Sequence, residues 1–224
     1  MKKLIAMGLT VIMTAVAVCG CGSSDSGNDA KKSDNQTKQQ AVKVIDVDLT
    51  SEEYAFGVDK NKPELLTQVN DFIKEIKDNG TFDEICNKYF GDGNPTPVKS
   101  EKLDTSKDQL LVATNASFEP FEYMKGDSYY GIDMEIAAAL AKKLNKELVI
   151  QNMEFDSVCL SVGQHKSDIA MTGLTIKEDR KKYVNFTDSY YNAAQRLIVK
   201  GDSTEFDNCK DKAAIEKILK TKDK

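Results

Sequence analysis

Cysteine and histidine are scarce in this chain, which limits the chemistry it can carry. Among 224 residues there are five cysteines, one histidine and no tryptophan. Beyond an N-terminal pair, Cys86, Cys159 and Cys209 are widely spaced and form no CxxC pair, so a disulfide framework or a metal site is disfavoured. Cys86 and Cys159 lie in apolar segments and are predicted to pack as small core side chains. His165 is predicted to be exposed and without a role.

Clustered positive charge is also missing. The chain carries 31 basic and 36 acidic residues, and only two of the basic residues, Arg180 and Arg196, are arginines. Residues 1–20 contain two lysines and no acidic residue, so their removal changes the formal net charge from -5 to -7. Nucleic-acid binding requires a clustered basic surface, and we therefore predict no nucleic-acid partner.

The N-terminus has the pattern of an export signal. Two lysines precede an apolar run over residues 4–18, which is too short to span a bilayer as a mature helix. The run ends in Cys19-Gly20-Cys21, which resembles a bacterial lipobox. Residues 1–20 are therefore predicted to be a signal peptide, and the resemblance implies lipidation of Cys21. The alternative is an ordinary secreted protein that is cut nearby.

Residues 21–41 are predicted to be a flexible tether behind that lipid. Between Ser23 and Gln40 the only apolar residue is Ala30. Such a segment cannot bury enough apolar surface to offset the entropy lost on ordering. A tether of this kind would hold a soluble domain near a membrane face.

The rest of the chain, about 180 residues, is long enough for one well-cored domain and short for two. Strand patterns alternate with helix patterns. The predicted strands cover residues 54–58, 110–114, 147–152, 168–171 and 195–200. The predicted helices cover residues 63–79, 81–90, 133–144, 156–163 and 177–183. Thr81 and Glu84 are predicted to form a capping box. The alternation predicts an α/β fold whose five-stranded, mostly parallel sheet has helices on both faces.

Two polar loops directly follow predicted strands. Residues 115–121 follow the first strand of the α/β run, and residues 172–180 follow the strand at 168–171. Ligands of open α/β sheets bind beyond the C-terminal ends of the strands, so both loops are predicted to lie at one edge of one sheet. In the second loop, the planar guanidinium of Arg180 suits a carboxylate. A surface arginine on a short helix fits the residues alone equally well.

Five segments of this region carry a resemblance, and they occur in order at residues 115–123, 131–136, 154–157, 171–182 and 185–191. They resemble successive motifs of the family 3 extracellular solute-binding proteins, the amino-acid receptors of ABC importers. The resemblance implies a periplasmic-binding-protein type II lobe and an extracytoplasmic location. It also implies an amino-acid ligand, the membrane subunits of an ABC permease as partners, and no cofactor.

The order of the segments departs from that family. Residues 42–91 resemble the family's C-terminal segment but precede residues 110–200, which resemble its N-terminal segment. The resemblance thus implies a circular permutation, with residues 92–109 as the connector and residues 42–200 as one complete lobe. Residues 201–224 are expected to begin the crossover to a second lobe that is absent from this sequence.

The resemblance also assigns roles at the predicted sheet edge. Arg180 is implied to hold the α-carboxylate of the ligand, assisted by Thr172, Gly173 and Thr175. Phe118 and Phe155, which from the residues alone fit the core better, are implied to be walls against the ligand side chain. Asn115 stands where many relatives carry aspartate. An amide brings no charge, which weakens the expectation of a cationic ligand.

Three functions are compatible with these observations. The first is a lipid-anchored binding protein for a polar amino acid that serves an ABC permease. The second is an enzyme, because similar lobes occur in periplasmic dehydratases and lytic transglycosylases. The sequence contains no nucleophile motif and no metal-ligand cluster, so we predict no enzymatic activity. The third is a truncated product whose lobe folds but does not serve transport.

Overall fold

The computed structural model describes residues 41–222. The predicted signal peptide at 1–20, the lipidation site Cys21 and the tether up to residue 40 lie outside the described residues. Within residues 41–222, no helix is both long enough and apolar enough to cross a membrane.

The described residues form short strands, five α-helices and one 3-10 turn. The strands are β1 (Val42–Val44), β2 (Glu52–Tyr54), β3 (Gly57–Asp59), β4 (Gln109–Thr114), β5 (Ser117–Phe118), β6 (Glu122–Lys125), β7 (Ser128–Tyr130), β8 (Glu147–Asn152), β9 (Ile169–Ala170), β10 (Val184–Phe186), β11 (Tyr191–Ala193) and β12 (Ile198–Lys200). The helices are α1 (Pro63–Asp78), α2 (Thr81–Phe90), α3 (Ile132–Lys143), α4 (Phe155–Gly163) and α5 (Lys212–Lys222), and the 3-10 turn is Arg180–Lys182.

The main sheet has five strands in the order β10-β3-β9-β4-β8. The strands β9, β4 and β8 are parallel, and β3 is antiparallel to both of its neighbours. Four of the five strands therefore run in one direction, which confirms the predicted five-stranded, mostly parallel sheet. The remaining strands form two antiparallel ribbons, β1-β12 and β2-β11, and the antiparallel sheet β5-β6-β7.

Helices cover both faces of this sheet, as predicted. On one face, Val69 of α1 and Leu140 of α3 belong to the same core cluster as Val112 of β4. On the other face, Val162 of α4 belongs to a second cluster with Ala113. Successive strand residues point to opposite faces, so the neighbours Val112 and Ala113 serve the two layers.

The predicted strand at 54–58 is in fact two strands, β2 and β3. Between them, the N–H of Ala55 donates to the carbonyl of Leu174 at 3.0 Å, and the N–H of Phe56 donates to Thr187 Oγ1 at 3.0 Å. These bonds to loops replace a continuous ladder. The strand β3 nevertheless lies between β9 and β10, so a segment that precedes the connector is built into the sheet formed by the residues that follow it.

The predicted strand at 195–200 is shortened to β12 and does not belong to the main sheet. It pairs with β1, and the fifth strand of the sheet is β10 instead. Beside this ribbon, Ile45, Val47, Phe206 and Ile215 form a small cluster of their own. The prediction placed the strand in the wrong sheet because local periodicity does not identify the pairing partner.

Two predictions at helix ends are wrong. The first is the capping box: Gly80, with φ 84°, is the N-cap of α2 and has no side chain with which to cap it. Thr81 is already the first helical residue, and its N–H donates to Asn79 Oδ1 at 3.0 Å. The second is the helix at 177–183, which is reduced to the 3-10 turn Arg180–Lys182.

The predicted connector at residues 92–109 lies along the free edge of β8. The N–H of Glu101 donates to the carbonyl of Leu148 at 2.8 Å, and the N–H of Ile150 donates to Ser100 Oγ at 2.8 Å. Val98 is buried and forms a β-bridge with Tyr129. The connector therefore covers an edge that would otherwise expose unpaired backbone groups.

Candidate functional site

The loops that follow β4 and β9 meet at one edge of the sheet, as predicted, and the loop that follows β8 joins them there. Asn115 connects all three. Its N–H donates to Thr172 Oγ1 at 3.1 Å, and its side-chain Nδ2 donates to the carbonyl of Met153 at 2.8 Å. Its Oδ1 accepts from the hydroxyl of Ser117. The Asn115 amide thus brings no charge to this edge, and both ends of the amide are hydrogen-bonded within the protein.

Arg180 lies at this edge with its charge uncompensated. Its Nη1 donates to the carbonyl of Thr175 at 2.8 Å, and its guanidinium carbon lies 5.1 Å from the centre of the Phe155 ring. Among the described residues, no carboxylate forms an ion pair with Arg180. A guanidinium that is held by a carbonyl and an aromatic face keeps further donors for an anionic ligand.

Phe118 and Phe155 are both partly exposed, with exposed fractions of 44% and 40%. Phe118 stacks on Phe121 with ring centres 5.5 Å apart. Phe121 in turn contacts the rings of Tyr54 and Tyr191 at 5.2 Å and 5.1 Å. An aromatic cluster therefore packs against Phe118 while part of its side chain stays exposed, as a wall of a ligand site requires.

Thr172 and Gly173 are directed into the protein. The Thr172 hydroxyl is buried and donates to Glu122 Oε1 at 2.8 Å. Gly173 has φ +51°, and its N–H donates to Asp133 Oδ2 at 2.8 Å. Two groups that the resemblance assigned to a ligand carboxylate are thus already hydrogen-bonded. Thr175 is only partly buried, and its hydroxyl has no hydrogen-bond partner among the described residues.

Sequence reasoning missed three residues at this edge: Glu122, Asp133 and Tyr190. Asp133 was counted only as part of a motif and as the start of a helix. In the structure it is 0% exposed, and its Oδ1 accepts from the hydroxyl of Tyr190 at 2.6 Å. The signal in the sequence was an acidic residue that stands between two apolar ones, Ile132 and Met134, at the start of a predicted helix. Both neighbours are fully buried in the structure.

The cysteines and the histidine were predicted to have no role in the site. Cys159 is buried and Cys86 packs against the main core cluster, as predicted. Burial raises the pKa of the Cys86 thiol to about 12, so the thiol is not ionised at neutral pH. His165 is half-exposed but not isolated, because its Nδ1 lies 2.9 Å from the buried carboxylate of Asp59. No group of three metal-ligating side chains occurs within residues 41–222.

Comparison with known proteins decides the family. The model of the bacterial extracellular solute-binding proteins, family 3, matches residues 10–92 and 110–223. The chain belongs to this family. The two matched segments are separated by residues 93–109, which lie in the connector along β8.

The curated relatives of this solute-binding protein are themselves binding proteins. It is 39% identical over 100 residues to the arginine-binding extracellular protein ArtP of Bacillus subtilis. The aligned region covers 45% of this chain and 39% of ArtP. It is 36% identical over 90 residues to a probable histidine-binding protein of Neisseria gonorrhoeae. That alignment covers 39% of this chain and 33% of the relative. The solute-binding protein thus spans between a third and four-tenths of the length of these relatives.

Among solved structures, the arginine-bound form of a variant of domain 1 from TmArgBP is 30% identical to this solute-binding protein. It covers 52% of this chain and 92% of that domain, with a TM-score of 0.37. The fold assignment therefore rests on the sheet topology and the family match rather than on this likeness.

Proposed function

We propose that this protein binds a polar amino acid outside the cytoplasm for an ABC-type amino-acid importer, with the α-carboxylate held by Arg180. The observation that carries the proposal is the environment of Arg180. The guanidinium is fixed by the Thr175 carbonyl and the Phe155 ring, and no described carboxylate neutralises it. The partly exposed Phe118 and Phe155 would flank the ligand side chain.

Within this proposal the role of the loop is narrower than the resemblance implied. Thr175 is the hydroxyl that would assist Arg180, because the Thr172 hydroxyl and the Gly173 N–H are directed to Glu122 and Asp133. Thr172 and Gly173 would shape the site rather than contact the carboxylate.

We propose that the side chain of the ligand is polar and that binding does not require it to be positively charged. The two relatives named above carry arginine or histidine in their names. Here the amide of Asn115 supplies no negative charge and is hydrogen-bonded to Met153 and Ser117. L-Glutamine and L-arginine are therefore both suitable probes, and the comparison between them decides on the side chain.

We further propose that the lobe is circularly permuted, with residues 42–91 equivalent to the family's C-terminal segment. The insertion of β3 between β9 and β10 supports this order. The described residues supply one side of the site, and the ligand-facing rings of Phe118 and Phe155 are open to solvent. We propose no catalytic step for this site.

Thermal unfolding in the presence of ligand tests the binding proposal. Charge-assisted contacts in an open site are weakened by water, so we expect a dissociation constant of order ~mM for the 224-residue chain. At ~10 µM ligand the stabilisation RT ln(1 + [L]/Kd) is near zero, whereas ~10 mM should add about 1 kcal/mol. The melting temperature should then rise by about 2–4 °C. No rise at ~10 mM with any polar amino acid would contradict the proposal, and a rise of several degrees at ~10 µM would contradict the open site.

The proposed location requires an anchor, and Cys21 is the proposed site of its attachment. We expect the mature protein in the membrane fraction to begin at Cys21 carrying a diacylglyceryl group. Mass spectrometry of the N-terminal peptide checks this. An unmodified N-terminus at another residue, with the protein released into the medium, would favour ordinary secretion instead.

A further inference from the structure

Two carboxyl groups lie beneath the loop that carries the proposed site, and each is hydrogen-bonded to one of two consecutive loop residues. Glu122 accepts from the Thr172 hydroxyl, and Asp133 accepts from the Gly173 N–H, both at 2.8 Å. Their exposed fractions are 1% and 0%. Burying two acids costs free energy, so their position beneath this loop needs a separate explanation.

No cation faces this pair in the described part of the chain. The titratable groups around it are Tyr54, Tyr190 and Cys86. Each is uncharged at neutral pH, and burial raises its pKa further from that range. Burial and the neighbouring Asp133 raise the pKa of Glu122 to about 10, and burial raises the pKa of Asp133 to about 7. Two acids in one apolar site cannot both ionise easily, so the pair retains a proton near neutral pH.

The hydrogen bonds indicate which acid keeps that proton. Asp133 accepts two hydrogen bonds, from the Gly173 N–H and the Tyr190 hydroxyl, which stabilise a carboxylate. Glu122 accepts one, and its Oε2 has no partner among the described residues. Asp133 is therefore the ionised member and Glu122 the protonated member.

We propose that Asp133 and Glu122 are positioning residues of the ligand site that share one proton, with ionised Asp133 holding the Gly173 turn and protonated Glu122 holding Thr172. The part of this inference that concerns the ligand rests on the proposed function. The part that concerns the proton does not.

The backbone turn at Gly173 lies next to Phe118, and the chain that follows it contacts Arg180. A Cβ on Gly173 would lie 3.0 Å from Phe118 Cε1, so the turn is in contact with that wall. Two residues later, the Thr175 carbonyl accepts from Arg180. Protonation of Asp133 removes the negative charge from the group that accepts the Gly173 N–H. A proton on Oδ2 would face that N–H, whereas a proton on Oδ1 can be accepted by the Tyr190 hydroxyl. In both cases the charge-assisted hydrogen bond to Gly173 is weakened or lost, and the spacing between Phe118 and Arg180 is held less firmly.

The backbone N–H of Gly173 reports on the pair without any ligand. In isotope-labelled protein, NMR should show its proton chemical shift titrating with an apparent pKa of about 7. Asp133→Asn should abolish this titration, and Glu122→Gln should preserve it, because Glu122 is already uncharged over that range. Asp59→Asn is the matched control, since Asp59 is also buried, at 2% exposure, but bonds to His165 instead.

Two results would overturn the assignment of the proton. One is a Gly173 shift in the unmodified protein that stays constant between about pH 5 and about pH 9. The other is a titration that persists in Asp133→Asn and disappears in Glu122→Gln.

Folding raises the pKa values of both Glu122 and Asp133, so in this pH range the folded state holds protons that the unfolded state has lost. The melting temperature should accordingly fall as pH rises across this range, and less steeply in Glu122→Gln.

Ligand affinity tests the positioning role. If only the form with ionised Asp133 binds, the dissociation constant of L-glutamine or L-arginine should be about tenfold larger near pH 6 than near pH 8. Asp133→Asn should remove this dependence. Equal affinities at the two pH values would overturn the positioning role. Failure of both probes to bind at either pH would contradict the proposed function, and the Gly173 titration would still decide on the carboxyl pair.

Discussion

Replacement of Arg180 by alanine is expected to remove most or all of the thermal stabilisation that ~10 mM amino acid confers. A hydrogen bond to a charged group contributes about 1.5–3 kcal/mol, so its loss should weaken binding by roughly 10- to 150-fold. From a starting affinity of order ~mM, ~10 mM ligand would then add at most about 0.4 kcal/mol, against about 1 kcal/mol in the unmodified protein. Melting curves with and without L-glutamine and L-arginine provide the comparison.

Arg196 is the matched control for Arg180, because it is the other arginine of the chain. It forms ion pairs with Asp46 and Asp48, beside the β1-β12 ribbon, and neither of these partners belongs to the Thr172–Arg180 loop. Arg196→Ala should leave the ligand effect intact. Arg180→Lys keeps the charge but loses the planar pair of donors, and should retain only part of the effect. If Arg180→Ala is still stabilised by ~10 mM ligand as the unmodified protein is, the proposed carboxylate contact is wrong.

Phe56→Ala is expected to be the most destabilising substitution considered. Phe56 is 0% exposed and stacks on Tyr190, with ring centres 4.3 Å apart and an interplanar angle of 15°. Truncation of a buried phenylalanine costs about 3–5 kcal/mol. For a domain of this size the melting temperature should fall by roughly 6–20 °C.

This substitution also tests whether residues 42–91 belong to the lobe. Phe56 joins β2 to β3, and β3 lies inside the main sheet, so damage there should reduce the stability of the whole unit in one cooperative transition. Phe90→Ala is the control, because Phe90 comes from the same part of the chain but is 44% exposed. A Phe56→Ala protein that melts like the unmodified one would show that this segment is peripheral.

Local sequence signals predicted the helices well and the small strands poorly. Helices α1 and α3 have long apolar stripes and clear start or stop residues, so their bounds were found within a few residues. By contrast, β10 and β11 are three residues long and gain their stability from partners far along the chain. No pattern of period two can emerge from so short a segment, so β10 was not predicted. Its place as the fifth strand of the sheet was given to residues 195–200, which pair with β1 instead.

The site shows the same division between local and long-range information. The position of Arg180 and the two phenylalanines after strands could be inferred from the order of residues. The inward bonds of Thr172 and Gly173 could not, because they depend on Glu122 and Asp133, which lie about 50 and 40 positions away. A buried acid near the start of α3 had no partner that local spacing could identify.

The central claim is that the carboxylate of an amino acid is bound at Arg180, and the most direct test compares an amino acid with its carboxamide. NMR titrations of the protein with L-glutamine and with L-glutaminamide, and likewise with L-arginine and L-argininamide, should be recorded near neutral pH. We predict that a free amino acid shifts the signals of Thr175, Arg180 and Phe155, whereas its carboxamide at the same concentration leaves them unchanged. Equal shifts from the acid and the amide would contradict the claim.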